Sequence, residues 1–180
     1  VALTAAHRRA QGFAERVLKV DHAGEHGAVN IYAGQLLLAR LTAPTLVPEL
    51  AEFQAHERRH RAIFGAELQR RGVRRCRSYH GCGIGGFVLG VITGLLGRSA
   101  IAATTVAVER VVLRHLEHQM TQLSASDPDA ARAIGSIVAE EQFHHDQSAA
   151  HLQAGRGWVR LLTPVVAAST ETVIWLGMRL

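Results

Sequence analysis

A helix can bring a carboxylate and an imidazole to one metal ion when they stand three residues apart, because positions i and i+3 share a face. This chain offers that arrangement twice. Glu57-Arg58-Arg59-His60 and Glu141-Gln142-Phe143-His144 are the only places where a Glu is followed three positions later by a His. Each is preceded by a further Glu set inside an apolar helical stretch: Glu25 among Gly24, Ala28 and Ile31, and Glu109 directly after Ile101–Val108. The separations are equal, 57 − 25 = 141 − 109 = 32. A carboxylate in an apolar stretch is costly to bury unless a cation or partner compensates it. Bundles that hold two irons use one Glu from each of two helices and one Glu-x-x-His from each of the other two. One such motif alone would read as a solvated helix face, and the charge-rich Glu57-Arg58-Arg59-His60-Arg61 invites that reading. The repeated four-part spacing does not.

The rest of the pattern is helical. Thr4 can cap a first helix running to about Arg40, and the Thr-Ala-Pro-Thr stretch at 42–45 breaks it. A second helix is predicted from Pro48 to Arg71, stopped at Gly72, followed by a basic irregular stretch from Val73 to Cys82. A glycine-rich apolar helix follows over Gly83–Leu96, then a fourth helix capped by Ser99 and running to Leu123. Ser126-Asp127-Pro128 is a start signal, a cap residue followed by Pro in the first turn, for a fifth helix to Gln153. Gly155 and Gly157 end it, and a last helix covers Thr163–Arg179. The expected fold is all-α: a four-helix bundle of two hairpins, with one apolar helix between the hairpins and another at the C-terminus. No linker divides residues 1–180, so one domain is expected.

Composition narrows the function classes. The formal charge is +5 and the mean hydropathy +0.08. A basic balance suits anionic lipid or nucleic acid equally, but aromatics make up only 5% of the chain, too few for the stacking platforms of a nucleic-acid enzyme. That argues against a di-iron tRNA hydroxylase. Cys76 and Cys82 stand as C-x5-C with no second pair, neither a disulfide framework nor a zinc or iron–thiolate site. That argues against a peroxide-consuming bundle with a cysteine-bound iron. A soluble iron-storage shell fits poorly with two apolar helices. No uncharged run reaches the roughly 20 residues of a bilayer crossing, and Gly83–Gly97 comes closest. Residues 1–12 lack the apolar core of a signal peptide. Four carboxylates and two imidazoles without a thiolate favour iron or manganese over structural zinc.

Three segments carry a resemblance. Val20-Asp21-His22-Ala23-Gly24-Glu25 with Gly27-Ala28 and Ile31-Tyr32-Ala33-Gly34-Gln35, then Thr105-Val106-Ala107-Val108-Glu109, then Glu140-Glu141 with His144-His145-Asp146, resemble the ligand helices of the demethoxyubiquinone hydroxylases, ferritin-like di-iron monooxygenases of ubiquinone biosynthesis. The similarity spans about Arg16 to Leu180. It implies Glu25, Glu57 and His60 on one iron and Glu109, Glu141 and His144 on the other, with Glu57 and Glu141 bridging. It implies hydroxylation of the ring of a polyprenylated demethoxy-quinol, with O2 as co-substrate and NADH or the quinol itself as reductant. It further implies a peripheral protein on the cytoplasmic face of a bacterial inner membrane, or on the mitochondrial matrix face. Other ubiquinone-biosynthesis proteins and a second copy of the chain are the implied protein partners, and nucleic acid is not one. Gly83–Leu96 would then dip into the membrane surface, with Arg74, Arg75, Arg77 and Arg98 on headgroups. A buried core helix is the plainer alternative.

Asp21 and His22, one turn before Glu25, and His115 are expected to support the ligands by hydrogen bonding. Family members often carry His-Tyr where this chain has His115-Leu116, and Asp-Glu-Glu where it has Ala139-Glu140-Glu141. A supporting carboxylate is therefore either absent or supplied elsewhere, with Asp21 and Asp146 as candidates. His26, His56, His118, His145 and His151 have no evident task, and Trp158 and Trp175 read as core or interface anchors.

Overall fold

The apolar periodicity of this chain folds, in a computed structural model that describes residues 5–152 and 157–180, into helices with no strand among the described residues. They are α1 (Ala5–Thr42), α2 (Val47–Arg70), α3 (Tyr79–Leu96), α4 (Arg98–Leu123), α5 (Pro128–Gly135), α6 (Val138–Ala150) and α7 (Gly157–Gly177). A single 3-10 turn, Pro44–Leu46, joins α1 to α2. Helices α1, α2, α4 and the α5–α6 pair form a ferritin-like bundle. Helix α3 lies along α1, and α7 lies along α4, giving the two additional helices expected.

Local signals explain most boundaries. Asp127 caps α5, its side chain accepting from the Ala130 N–H at 3.1 Å, with Pro128 at the first helical position. Arg71 clasps the same carboxylate at 2.5 and 2.8 Å, tying the end of α2 to the start of α5. Gly72 closes α2 with φ +66°, a conformation that favours glycine. Several boundaries differ from the sequence reading. The fifth helix is broken at Ser136–Ile137, where the Ile137 N–H turns back to the Ile134 carbonyl; a Gly135-Ser136 pair is a common place for such a kink. Gly97, at φ +85°, and not Ser99, stands at the head of α4, and Ser99 is buried without a side-chain capping bond. Helix α7 starts at Gly157 and carries Pro164 within it. Thr4, Gln153 and Gly155 lie outside the described residues.

Two apolar clusters flank a polar layer. One joins Val17, Leu18, Phe64, Leu116, Leu123 and Ile134. The other joins Tyr32, Ala39, Leu46, Leu50, Phe53 and Ile101. On α1, α2 and α4 the glutamates of the sequence motifs fall between the two clusters, which is why they are buried together.

Helix α3 packs on α1 through its glycines. A Cβ at Gly86 would stand 2.3 Å from the Gly27 carbonyl oxygen, and one at Gly90 2.1 Å from that of Ile31. Backbone therefore meets backbone along these glycines, and most large apolar side chains of α3 stay out of the contact, while Tyr79 at its start stacks on His22 and His26. Ile84, Phe87, Val88, Ile92, Leu95 and Leu96 are all exposed. Because α3 begins at Tyr79, four residues earlier than expected, its 18 residues with mean hydropathy 1.5 are long and apolar enough, by length and composition, to cross a membrane.

Gly90→Val should destabilise the chain by about 3 kcal/mol or more, since backbone must move to admit the side chain. Ile84→Ser, on the outer face of α3, should leave the unfolding free energy from chemical denaturation within about 0.5 kcal/mol of wild type. Equal effects of the two would contradict this packing.

Candidate metal centre

The six motif residues meet in one buried layer. Glu25, Glu57, His60, Glu109, Glu141 and His144 are each at most 5% exposed. Their donor atoms form two overlapping groups, Glu25, Glu57, His60 and Glu141, and Glu57, Glu109, Glu141 and His144, with the atoms of each group within 4.8 Å of one another. Glu57 and Glu141 belong to both. His60 Nδ1 lies 2.8 Å from Glu141 and 3.7 Å from Glu25. His144 Nδ1 lies 3.2 Å from Glu57 and 3.6 Å from Glu141. These atoms are close but not aligned for hydrogen bonding: His60 Nδ1, His144 Nδ1, one oxygen of Glu57 and one of Glu141 are buried without a hydrogen-bond partner. Four orphaned donors converging on one space fit a cation pair better than they fit each other.

The electrostatics agree. Burial, compounded by the neighbouring carboxylates, pushes Glu25, Glu57 and Glu109 well above the usual carboxylate range. Burial would raise Glu141 too, but the adjacent His144 and His60 outweigh it and hold it down at about 2. Burial would lower the two imidazoles, yet the Glu141 and Glu57 carboxylates carry both up to about 9. Without metal, burial and mutual repulsion therefore favour the neutral form of Glu25, Glu57 and Glu109, and the adjoining carboxylates favour the charged form of both rings. Two divalent cations would replace the protons that these forms carry.

The outward edges of both imidazoles are held. Glu140 accepts from His60 Nε2 at 2.7 Å and is itself gripped by Arg59 at 3.0 Å. His56 Nδ1 lies 3.0 Å from His144 Nε2, its ring stacked on that of His144. Anchoring one ring nitrogen turns the other, Nδ1, toward the centre. Tyr32, fully enclosed, donates to Glu109 at 3.4 Å. Sequence reasoning missed all three roles. The supporting carboxylate is Glu140, whereas Asp146 is exposed and pairs with His145 and Gln142. Glu140 was legible in principle, since it precedes a ligand-type Glu on the same turn. His56 was not, because only tertiary packing brings it to His144.

The expected supporting residues sit elsewhere. Asp21 bonds Gln119 at 3.0 Å and no residue of the carboxylate layer; burial, partly offset by Gln119, raises it to about 7. His22 stacks on Tyr79, and burial with nearby Arg61 lowers it to about 4. His115 pairs with Glu171 of α7 at 2.8 Å. Asp21 and His115 instead line a cavity of about 470 Å³ between α1, α3, α4 and α7. Its inner end is formed by Glu25, Glu57, Glu109 and Glu141, and its walls by apolar residues such as Ile31, Leu89, Val112 and Ile174. Cys76 and Cys82 are free thiols, as expected, and Cys82 borders the cavity.

Two expectations follow for metal binding. Glu140→Ala should weaken Fe(II) affinity about 10- to 100-fold while the far-ultraviolet helical signal is kept, and an unchanged affinity would remove its orienting role. Binding of Fe(II) to metal-free protein at neutral pH should release protons, seen as heats that depend on the buffer's ionisation enthalpy. Affinity should fall as the pH is lowered, because protons and metal compete for the same groups.

Comparison with known proteins gives a consistent relation. The family model described as "Ubiquinone biosynthesis protein COQ7" matches residues 12–177. The "NADPH-dependent 3-demethoxyubiquinone 3-hydroxylase, mitochondrial" of Dictyostelium discoideum is 33% identical over 169 residues, covering 92% of this chain and 76% of its own. The protein of the same name from Homo sapiens is 31% identical over 170 residues, covering 92% and 77%. The "3-demethoxyubiquinol 3-hydroxylase" of Rhodospirillum rubrum is 33% identical over 166 residues, again covering 92% and 77%. With its two Glu-x-x-His helices meeting in one buried layer, the chain belongs to the family of ubiquinone biosynthesis protein COQ7.

Proposed function

We propose that this chain hydroxylates the ring of a polyprenylated demethoxy-quinol with dioxygen at a two-iron centre. The observation that carries the reading is the apolar cavity that runs between α3 and α7 and ends on four buried carboxylates. A hydrolase of polar substrates has no use for a greasy approach to its metals, whereas a quinol with an isoprenoid tail needs one. Relatives named for this reaction, at 31–33% identity over most of the chain, support the substrate class.

Glu25, Glu57 and His60 would hold one iron and Glu109, Glu141 and His144 the other, with Glu57 and Glu141 shared, as their membership of both donor groups suggests. The pair, when bound, would supply the two electrons for a dioxygen reaction in which one oxygen goes to the ring and the other leaves as water. The protein's part is to orient and exclude. Glu140 and His56 fix the two imidazoles, and Tyr32 steadies Glu109. The aliphatic wall keeps water from the reacting carbon. A dihydronicotinamide or the quinol itself would return the electrons, and several relatives are named NADPH-dependent.

The outer faces of α3 and α7 complete the reading as a membrane-surface docking site. Ile84, Phe87 and Leu95 of α3 and Val165, Trp175 and Leu176 of α7 are exposed. Arg74, Arg75 and Arg77, also exposed, stand just before α3, where they can reach anionic headgroups. Helix α3 is fixed along α1 through its glycines, which favours lying in the interface over crossing it.

Single-turnover oxidation tests the reaction. Anaerobic Fe(II)-loaded protein, given a short-tail demethoxy-quinol and labelled dioxygen, should return the quinol with one labelled oxygen on its ring. Rapid iron oxidation with an unmodified quinol would move the function to another substrate. Glu109→Ala should lose iron and hydroxylation while keeping its helices, and full activity in that variant would sink the ligand assignment. For the membrane reading, the triple variant Ile84→Ser, Phe87→Ser, Leu95→Ser should bind anionic vesicles at least about tenfold more weakly. Binding indifferent to both the variant and high salt would contradict it.

A further inference from the structure

Glycine inside a helix weakens it relative to alanine, so a helical glycine calls for a reason, commonly a neighbour too close to admit a side chain. Several glycines of α1 and α3 have one. A Cβ at Gly34, Gly86 or Gly90 would meet backbone at 2.1–2.5 Å, and one at Gly83 would meet the His26 ring at 2.5 Å. Four described glycines instead have open space where a Cβ would stand: Gly24, Gly72, Gly81 and Gly85. Gly72 closes α2 at φ +66°. The other three lie within helices, without a positive φ and without a close neighbour. All three border the cavity that ends on the carboxylate layer. Packing explains none of them, and the cavity accounts for all of them.

Helical register directs the missing side chains toward that cavity. Gly24 shares a face of α1 with Asp21, Ala28 and Ile31, and Gly81 and Gly85 share a face of α3 with Ser78 and Leu89; all of these line the wall. The three glycines are exposed, so the cavity reaches the surface beside them. Val173 and Leu176 of α7, apolar and exposed, border it as well. Along α3 the face of Gly81 and Gly85 continues into Val88 and Ile92, both exposed. The opening thus leads from the carboxylates onto the apolar exterior of α3. A quinol whose ring lies at the inner end must send its tail out through such an opening. We propose that Gly24, Gly81 and Gly85 form the port by which the polyprenyl tail of the bound quinol leaves the cavity, and that their missing side chains set its bore for a methyl-branched chain. A larger residue at Gly24 or Gly85 would stand where the tail runs.

This inference rests on the hydroxylase reading, and the test separates the two. Fe(II)-loaded protein without dioxygen would be titrated with a tail-free demethoxy-quinol and with the same ring carrying a tail of two isoprene units. Dioxygen would then be admitted to follow hydroxylation. Wild type should bind the tailed quinol at least about 100-fold more tightly than the tail-free one. The double variant Gly24→Leu, Gly85→Leu should lose at least about tenfold of that preference, in binding and in kcat/KM alike. Its helical signal and Tm should equal or exceed those of wild type, because Leu favours a helix over Gly and a Cβ meets nothing at either position. The smaller change Gly24→Ala, Gly85→Ala should move the preference the same way by about threefold. The preference is a ratio within one protein, so partial unfolding does not distort it. A Leu pair that keeps the wild-type preference, whether both quinols bind as before or both are weakened equally, overturns the port even where wild type hydroxylates the quinol. Wild type that neither binds nor hydroxylates either quinol overturns the functional reading and the port with it.

Discussion

Four carboxylates buried in one layer are the constraint around which the rest of this molecule is arranged. Close, desolvated like charges cannot all ionise unless cations join them. In the metal-free state burial and repulsion push Glu25, Glu57 and Glu109 toward their neutral forms, while His60 and His144 favour the anionic form of Glu141 between them. Such a layer is weak as a source of stability and strong as a metal site. The cohesion of the fold lies in the two apolar clusters on either side, which hold the layer closed. The outer contacts from Glu140, His56 and Tyr32 aim its donors inward.

A second constraint shapes the surroundings of the layer. Glycines at the α1–α3 contact bring the backbones together and leave Ile84, Phe87, Val88, Ile92, Leu95 and Leu96 of α3 on the outside. The same residues thus close the bundle on one side and create an apolar exterior on the other, with the cavity opening alongside. A helix with bulky residues in the interface would bury them, stand further from α1 and leave a polar exterior.

Much of this was legible in the residues. The equal spacing of Glu25–Glu57 and Glu109–Glu141, with a His three positions after each second Glu, located the layer, because helical periodicity maps sequence spacing onto a face. Asp127-Pro128 and Gly72 marked helix ends, because caps act locally. What the sequence concealed depends on contacts between helices far apart in the chain. His56 looked idle until α6 placed His144 beside it. Asp21 looked like a support for Glu25, yet its partner is Gln119, 98 residues away. The break at Ser136–Ile137 also escaped, since one weak Gly-Ser pair competes with a strong helical pattern on both sides.

The central claim is that this layer holds two metal ions that share carboxylates, and counting and coupling the irons tests it most directly. Wild-type protein loaded anaerobically with Fe(II), freed of excess and then oxidised, should contain about two irons per chain. Its low-temperature Mössbauer spectrum in an applied field should show them magnetically coupled, as two ferric ions held a few ångströms apart by shared bridging ligands are. One iron per chain, or two that are magnetically independent, would contradict the account.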